Sequence, residues 1–164
     1  QRLVSVGWKW LLNQDVNYEF FYHKDKDTWY NSETVNRIQN DLDKTDVLIG
    51  QNIKFDIMWL RACGFKYDGA IYDTMVAEYL RSKGRRWSLA LDALAKRYNV
   101  TQKETDLVTP YLKEGKTFFD IPAERVEEYG IADVVATEEV AVKQLEAFGL
   151  TFEELYETDT ETVI

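Results

Sequence analysis

Cysteine is almost missing: Cys63 stands alone in a chain of 164 residues. No internal disulfide can form, so the fold must rest on its core, and a reducing compartment is expected. Histidine is as scarce, with His23 the only one. That argues against His-rich zinc sites and His-dependent nucleophiles. There are two prolines and eight glycines, and no Gly/Ser linker, repeat or low-complexity tract. No run approaches the roughly 18 apolar residues of a membrane span, and no stretch reads as a signal peptide, so no membrane partner is expected. The chain opens on Gln1 and ends at TETVI, which reads as a piece of a longer protein. Positive charge is also short. Twenty Lys and Arg stand against 29 Asp and Glu, for a net charge of -9 and a pI of about 4.7. This counts against a general nucleic-acid binder, which carries a basic surface. A site that gathers carboxylates around divalent cations is acidic too, and a fused domain could supply the basic grip.

What is present is a globular composition. Apolar residues make up 45%, with five Trp and ten Tyr, enough for one domain with a real core. RLVSVGWKW and VNYEFFYH read as two strands of a hairpin. KDKDTWYNSE reads as a loop, and Ser32 as the cap of a helix to about Lys44 that carries Val35, Ile38 and Leu42 on one face. VLIG is a short buried strand. FDIMWLRACG is a helix stopped by Gly64. AIYD is a strand, and its Asp73 caps the helix TMVAEYLRS, while Ser88 caps LALDALAKRYN. Residues 101–120 look irregular. Pro122 opens a last long helix and Gly149 closes it. The order predicts an α/β domain with a mixed sheet.

Two constellations carry chemistry. In GQNIKFD, residues 50–56, Asp56 falls in the first turn of a helix that follows a buried strand. Ligand crevices of open α/β sheets lie at such strand ends. The plainer reading is an acid favoured by the helix macrodipole. In EEYGIADVV, residues 127–135, Tyr129 and Asp133 share a helix face one turn apart. Val126, Val134 and Val140 suggest that this face is packed, and an acid there is costly unless paired or bound to a metal. The plainer reading is a boundary Asp hydrogen-bonded to Tyr129.

GQNIKFD and YGIAD together resemble the second and third motifs of the DEDD exonuclease superfamily, in its tyrosine-bearing branch. VGWKW with its hairpin, IYDTMVAEYL, WSLALDALAKRYNV and IPAERVEEYGIADVVAT are similar, in the same order, to the proofreading domain of family A DNA polymerases. KETDLV and YLKEGKTFFDIP point to the phage type. The resemblance implies a ribonuclease H-like fold and hydrolysis of the terminal phosphodiester of DNA from the 3′ end. Two divalent cations about 3.5–4 Å apart would stabilise the attacking and leaving oxygens. Mg²⁺ (or Mn²⁺) takes carboxylate oxygens and water. By the resemblance Asp56 binds one ion and Asp133 the other, Tyr129 orients the attacking water, and Asn52 and Phe55 shape the pocket around a single-stranded or frayed 3′ end. Asp73 reads as a structural cap outside the site. Residues 1–150 would form the exonuclease domain, and 151–164 would begin the connection to a polymerase domain in the same polypeptide, in the cytoplasm of a bacterial or phage-infected cell.

The family's first motif, Asp-x-Glu at the end of its first and central strand, has no counterpart before RLVSVGWKW. Its loss would remove half the carboxylates and leave a gap between strands. Truncation upstream of Gln1 is the expected cause. The alternative is a permuted arrangement in which Asp159 and Glu161 complete the site. Against it, Glu157 and Thr158 precede Asp159 where a buried strand should be apolar, and ELYETDTETVI resembles the exit toward the polymerase. Two other functions stay open: a catalytically dead scaffold, and a stand-alone exoribonuclease of the RNase D type. KGRRW, residues 83–87, reads as a solvated turn or a DNA contact. Cys63 and the tryptophans read as core, although Trp8 and Trp10 could line a cleft from one strand face.

Overall fold

The computed structural model describes residues 2–26, 31–102, 105–151 and 154. The hairpin forms as expected: β1 (Ser5–Trp8) runs antiparallel to β2 (Asn17–Phe20), with Ser5 opposite Phe20 and Trp8 opposite Asn17. β3 (Val47–Gly50) and β4 (Ala70–Asp73) are parallel, with Val47 beside Ala70 and Gly50 beside Asp73. A parallel pair needs a crossover, and α2 (Lys54–Ala62) supplies it. The expected mixed sheet is therefore divided. Its antiparallel and parallel pairs are two separate two-stranded sheets.

The helices are α1 (Ser32–Asp43), α3 (Thr74–Ser82), α4 (Leu91–Tyr98), the short α5 (Thr109–Lys113) and α6 (Ala123–Phe148). Two caps differ from expectation. Asn31, not Ser32, caps α1. Its extended backbone lets its side chain accept from the Glu33 N–H at 2.9 Å, which draws Ser32 into the helix. α4 has Ala90 at its N-cap without a side-chain cap, two residues past Ser88, whose carbonyl accepts from Arg97 at 3.2 Å. Residues 101–120, expected to be irregular, hold a 3₁₀ turn at Thr105–Leu107 and α5, with Pro110 in its first turn. Gly64 and Gly149 take left-handed conformations at the ends of α2 and α6, which costs a residue without Cβ nothing.

α6 contacts both sheets. Its first turns join Phe20, Val108 and Ile121 in one apolar cluster through Ala123 and Val126. Further along, Ala136 and Val140 pack with Leu91 and Leu94 of α4. On the other side, α1 covers Val6 and Trp8 of β1 and Leu48 of β3, around Phe21, Ile38, Leu42 and Phe65. The paired-tryptophan cleft does not form. β1 ends at Trp8, whose indole N–H donates to Asp41 at 2.9 Å, and Trp10 lies beyond it in the turn. His23 is buried, with Nε2 at 2.8 Å from the Ile121 carbonyl, and Cys63 packs beside the α1 cluster. No helix among the described residues is long and apolar enough to cross a membrane.

Candidate functional site

The loop from β3 into α2 is held tightly. Gly50 has no room for a side chain, because a Cβ there would lie 2.7 Å from Ile53 Cδ1. Asn52 sits in the left-handed region at φ 54°, where Asn is among the few tolerated side chains. Its N–H donates to Asp73 Oδ1 at 2.9 Å, and the Ile53 N–H donates to Asp73 Oδ2 at 3.1 Å. Asp73 Oδ1 also accepts from Met75 at the start of α3, at 2.9 Å. Gln51 donates to the Leu89 carbonyl at 2.8 Å and accepts from the Thr74 hydroxyl.

This loop delivers Asp56 in the first turn of α2. By residue area Asp56 is exposed, yet its carboxyl titrates above the usual range. The largest cause is desolvation; its own backbone N–H offsets part of this, and the charges of Asp73 and Asp133 add to the rise. Water reaches the carboxyl while neighbouring protein displaces part of its hydration shell.

The other two candidate residues lie on α6, with Tyr129 and Asp133 one turn apart. Gly130 lies between them in sequence. A Cβ at Gly130 would strike the Tyr18 ring, and a Cβ at Gly7 of β1 would lie 2.9 Å from the same ring. Tyr18 thus fills the space two glycines leave, and α6 comes close to the hairpin. The Tyr18 hydroxyl shares a 2.7 Å hydrogen bond with Ser5 and donates to the Val126 carbonyl at 3.2 Å. Burial pushes the Tyr18 pKa up, the Ser5 bond opposes this, and the charges of Glu127 and Asp133 raise it further. The charge of Asp133 therefore acts on both Tyr18 and Asp56. The Tyr129 ring packs against Phe118, with centroids 6.0 Å apart, at the edge of the Phe20 cluster.

Asn52 and Phe55 flank this region from the loop side. Phe55 is 52% exposed, with the Lys54 ammonium 5.4 Å from its ring. Among the described residues, Asn52 Oδ1 is buried without a hydrogen-bond partner. A buried oxygen with no donor, in the loop that carries Asp56, suits a cation or the polar end of a ligand. The donor set is partial. Among the described residues no group of three or more His, Cys, Asp or Glu could hold a metal ion. Asp159, Glu161 and the rest of ELYETDTETVI lie outside the described residues.

A family model described as 3′-5′ exonuclease matches residues 21–146. That span includes the Asp56 loop and the Tyr129–Asp133 turn. The chain belongs to this 3′-5′ exonuclease domain family of family A DNA polymerases. No curated protein and no solved structure matches the chain.

In this exonuclease domain, the sequence indicated Asp56, Asn52, Phe55, Tyr129 and Asp133, and the structure sets them on two elements, the β3–α2 loop with the start of α2, and α6. It also adds residues that sequence reasoning passed over. Gln51 ties the loop to Leu89, and Tyr18 with Gly130 seats α6 on the hairpin. A glycine inside the helical run EEYGIADVV was the available signal, since such a glycine often marks close packing.

Proposed function

We propose that the chain is the proofreading domain of a phage-type family A DNA polymerase, in the tyrosine branch, trimming DNA from the 3′ end. The observation that carries this reading is the 3′-5′ exonuclease family match over residues 21–146, which takes in both the β3–α2 loop with Asp56 and the α6 turn with Tyr129 and Asp133. Divalent-metal dependence is typical of that family. Asp56 and Asp133 would hold Mg²⁺ or Mn²⁺, two ions in a complete site, which supply charge stabilisation of the attacking and leaving oxygens. Tyr129 orients the attacking water. Asn52 and Phe55 receive the terminal nucleotide, the exposed Phe55 ring offering a stacking surface. Proofreading follows from fraying, since a mispaired end unstacks at lower cost and reaches the pocket more often.

In this reading a central strand ending in Asp-x-Glu belongs between β1 and β3, and brings the remaining carboxylates. The two separate sheets support it. Residues 1–150 are the exonuclease domain, and 151–164 lead to the polymerase domain.

Single-stranded DNA labelled at its 5′ end tests the reading. In a domain that carries the Asp-x-Glu strand of this reading, Mg²⁺- or Mn²⁺-dependent shortening from the 3′ end is expected, and Asp56→Ala abolishes it with the circular dichroism spectrum unchanged. Full cleavage by that variant overturns the assignment of Asp56. The same assay with RNA separates this reading from an RNase D-type exoribonuclease, because the 2′-hydroxyl is what such a site can sense. A second reading, a non-catalytic scaffold, is favoured by the partial donor set among the described residues. It predicts weak Mg²⁺ binding and no hydrolysis by the wild-type chain.

A further inference from the structure

Asp73 lies beside the candidate site without pointing a vacant oxygen into it. Its two oxygens take three backbone N–H groups: Asn52 and Met75 on Oδ1, Ile53 on Oδ2. Two of these donors belong to the loop ahead of α2, and the third to the first turn of α3. A carboxylate has about four acceptor positions, so little capacity remains for a cation. An ordinary N-cap serves its own helix, but this one serves two segments that β4 brings side by side through the pairing of Gly50 with Asp73.

The neighbour Thr74 repeats the arrangement. Its hydroxyl donates to Gln51 Oε1 and lies 3.3 Å from the Gly50 carbonyl oxygen. The turn that opens α3 thus holds the whole β3–α2 loop, from Gly50 to Ile53. Two backbone donors that would otherwise be orphaned near the start of α2 are satisfied. Asn52 is held in its left-handed conformation. From Ile53, three residues of helix set where the Asp56 carboxyl points.

We propose that Asp73 is a positioning residue, whose clamp on the Asn52 and Ile53 amides sets Asp56 against Asp133. Its consequence for cation binding rests on the exonuclease reading above; the clamp itself does not. Mn²⁺ alone is the probe, followed by paramagnetic broadening of backbone resonances in the 164-residue chain, with amide hydrogen exchange on the same samples. Asp73→Ala is expected to lose at least tenfold of the exchange protection at Asn52 and Ile53, and to weaken the Mn²⁺-induced broadening at Asp56 and Asp133 at least fivefold. Asp73→Asn keeps the Oδ1 acceptor. It is expected to restore protection at Asn52 and Met75 but not at Ile53, and to recover part of the Mn²⁺ response.

A residue that only caps α3 gives a different result. Met75 alone loses protection, and the Mn²⁺ response stays at the wild-type level; that outcome overturns the proposal. Should the wild-type chain show no Mn²⁺ broadening at Asp56 and Asp133, the exonuclease reading of the site fails. The clamp is then decided by exchange alone, and unchanged protection at Asn52 and Ile53 in Asp73→Ala overturns it. If Asp73→Ala does not fold, Asp73→Asn decides through the contrast between Ile53 and Asn52.

Discussion

The two ends of α6 are seated by opposite means. Near its start the contact is apolar and close. Ala123 and Val126 enter the Phe20 cluster, and Gly130 lets the Tyr18 ring lie against the helix backbone. Near its end the contact is a buried polar network. Glu78 of α3 is fully buried, and accepts from Arg97 at 2.8 Å, Tyr98 at 2.5 Å and Gln144 of α6 at 3.1 Å. Gln144 also donates to the Thr74 carbonyl at 2.9 Å and accepts from Tyr72 at 3.3 Å. Burial, followed by the adjacent Glu78, pushes the Tyr98 pKa up to about 12. Close packing sets distance, since one methyl group changes it. A satisfied polar network sets orientation, since each hydrogen bond needs its own partner. Tyr129 and Asp133 lie toward the close-packed end.

The largest effect should come from breaking the polar end. Glu78→Ala removes the carboxylate shared by Arg97, Tyr98 and Gln144 and breaks the Arg97 ion pair, at a cost of about 3–5 kcal/mol, read by urea unfolding. Glu78→Gln should cost less, because it keeps one acceptor oxygen. A loss below about 1 kcal/mol for the alanine variant would show that the network adds little beyond apolar packing.

Gly130→Ala tests the close-packed end. Alanine gains up to about 1 kcal/mol of helix propensity, but the added methyl overlaps the Tyr18 ring, and overpacking costs about 1–3 kcal/mol. Net destabilisation is expected. In a Tyr18→Ala background the sign should reverse, because the obstacle is gone. Absence of that reversal in the double-mutant cycle separates Gly130 from Tyr18 and ends this account of the packing.

The smallest effect concerns Asp56, and it depends on pH. Its folded-state pKa is raised, so between the ordinary carboxylate range and the raised value the folded protein holds more protons than the unfolded one. Stability then falls as pH climbs through that window. Metal-free Asp56→Asn should therefore melt higher than wild type at pH 7 and nearly level with it at pH 3. Added Mg²⁺ should raise the wild-type melting temperature at pH 7 more than that of the variant. Equal pH profiles for the two proteins would remove the raised Asp56 pKa and the desolvation that chiefly causes it.

Much of the fold was legible because local chemistry states it. Asp73 before TMVAEYLRS, Gly64 after LRAC and Gly149 after the long helix ended or began elements as expected. The start of α4 was not legible: Ser88 was expected to cap it, but the helix begins at Leu91 with Ala90 in the cap position, so Ser88 lies two residues too early for its side chain to cap. Asn31 and Ser32 are both good caps in sequence, and backbone geometry chose between them. The short helices within 101–120 were hidden because five residues of α5 carry too little periodicity to register.

By itself the sequence determined the acids of the candidate site and the helix and strand that carry them, because motif spacing and capping residues act over a few residues of chain. The tertiary structure alone decided that burial raises the pKa of Asp56 and Tyr18, that Asp73 serves two segments at once, and that the strands stand as two separate pairs. Those outcomes depend on how α6 and the β3–α2 loop pack in space. Charge interaction and close packing follow distance through space, which a linear order of residues does not contain.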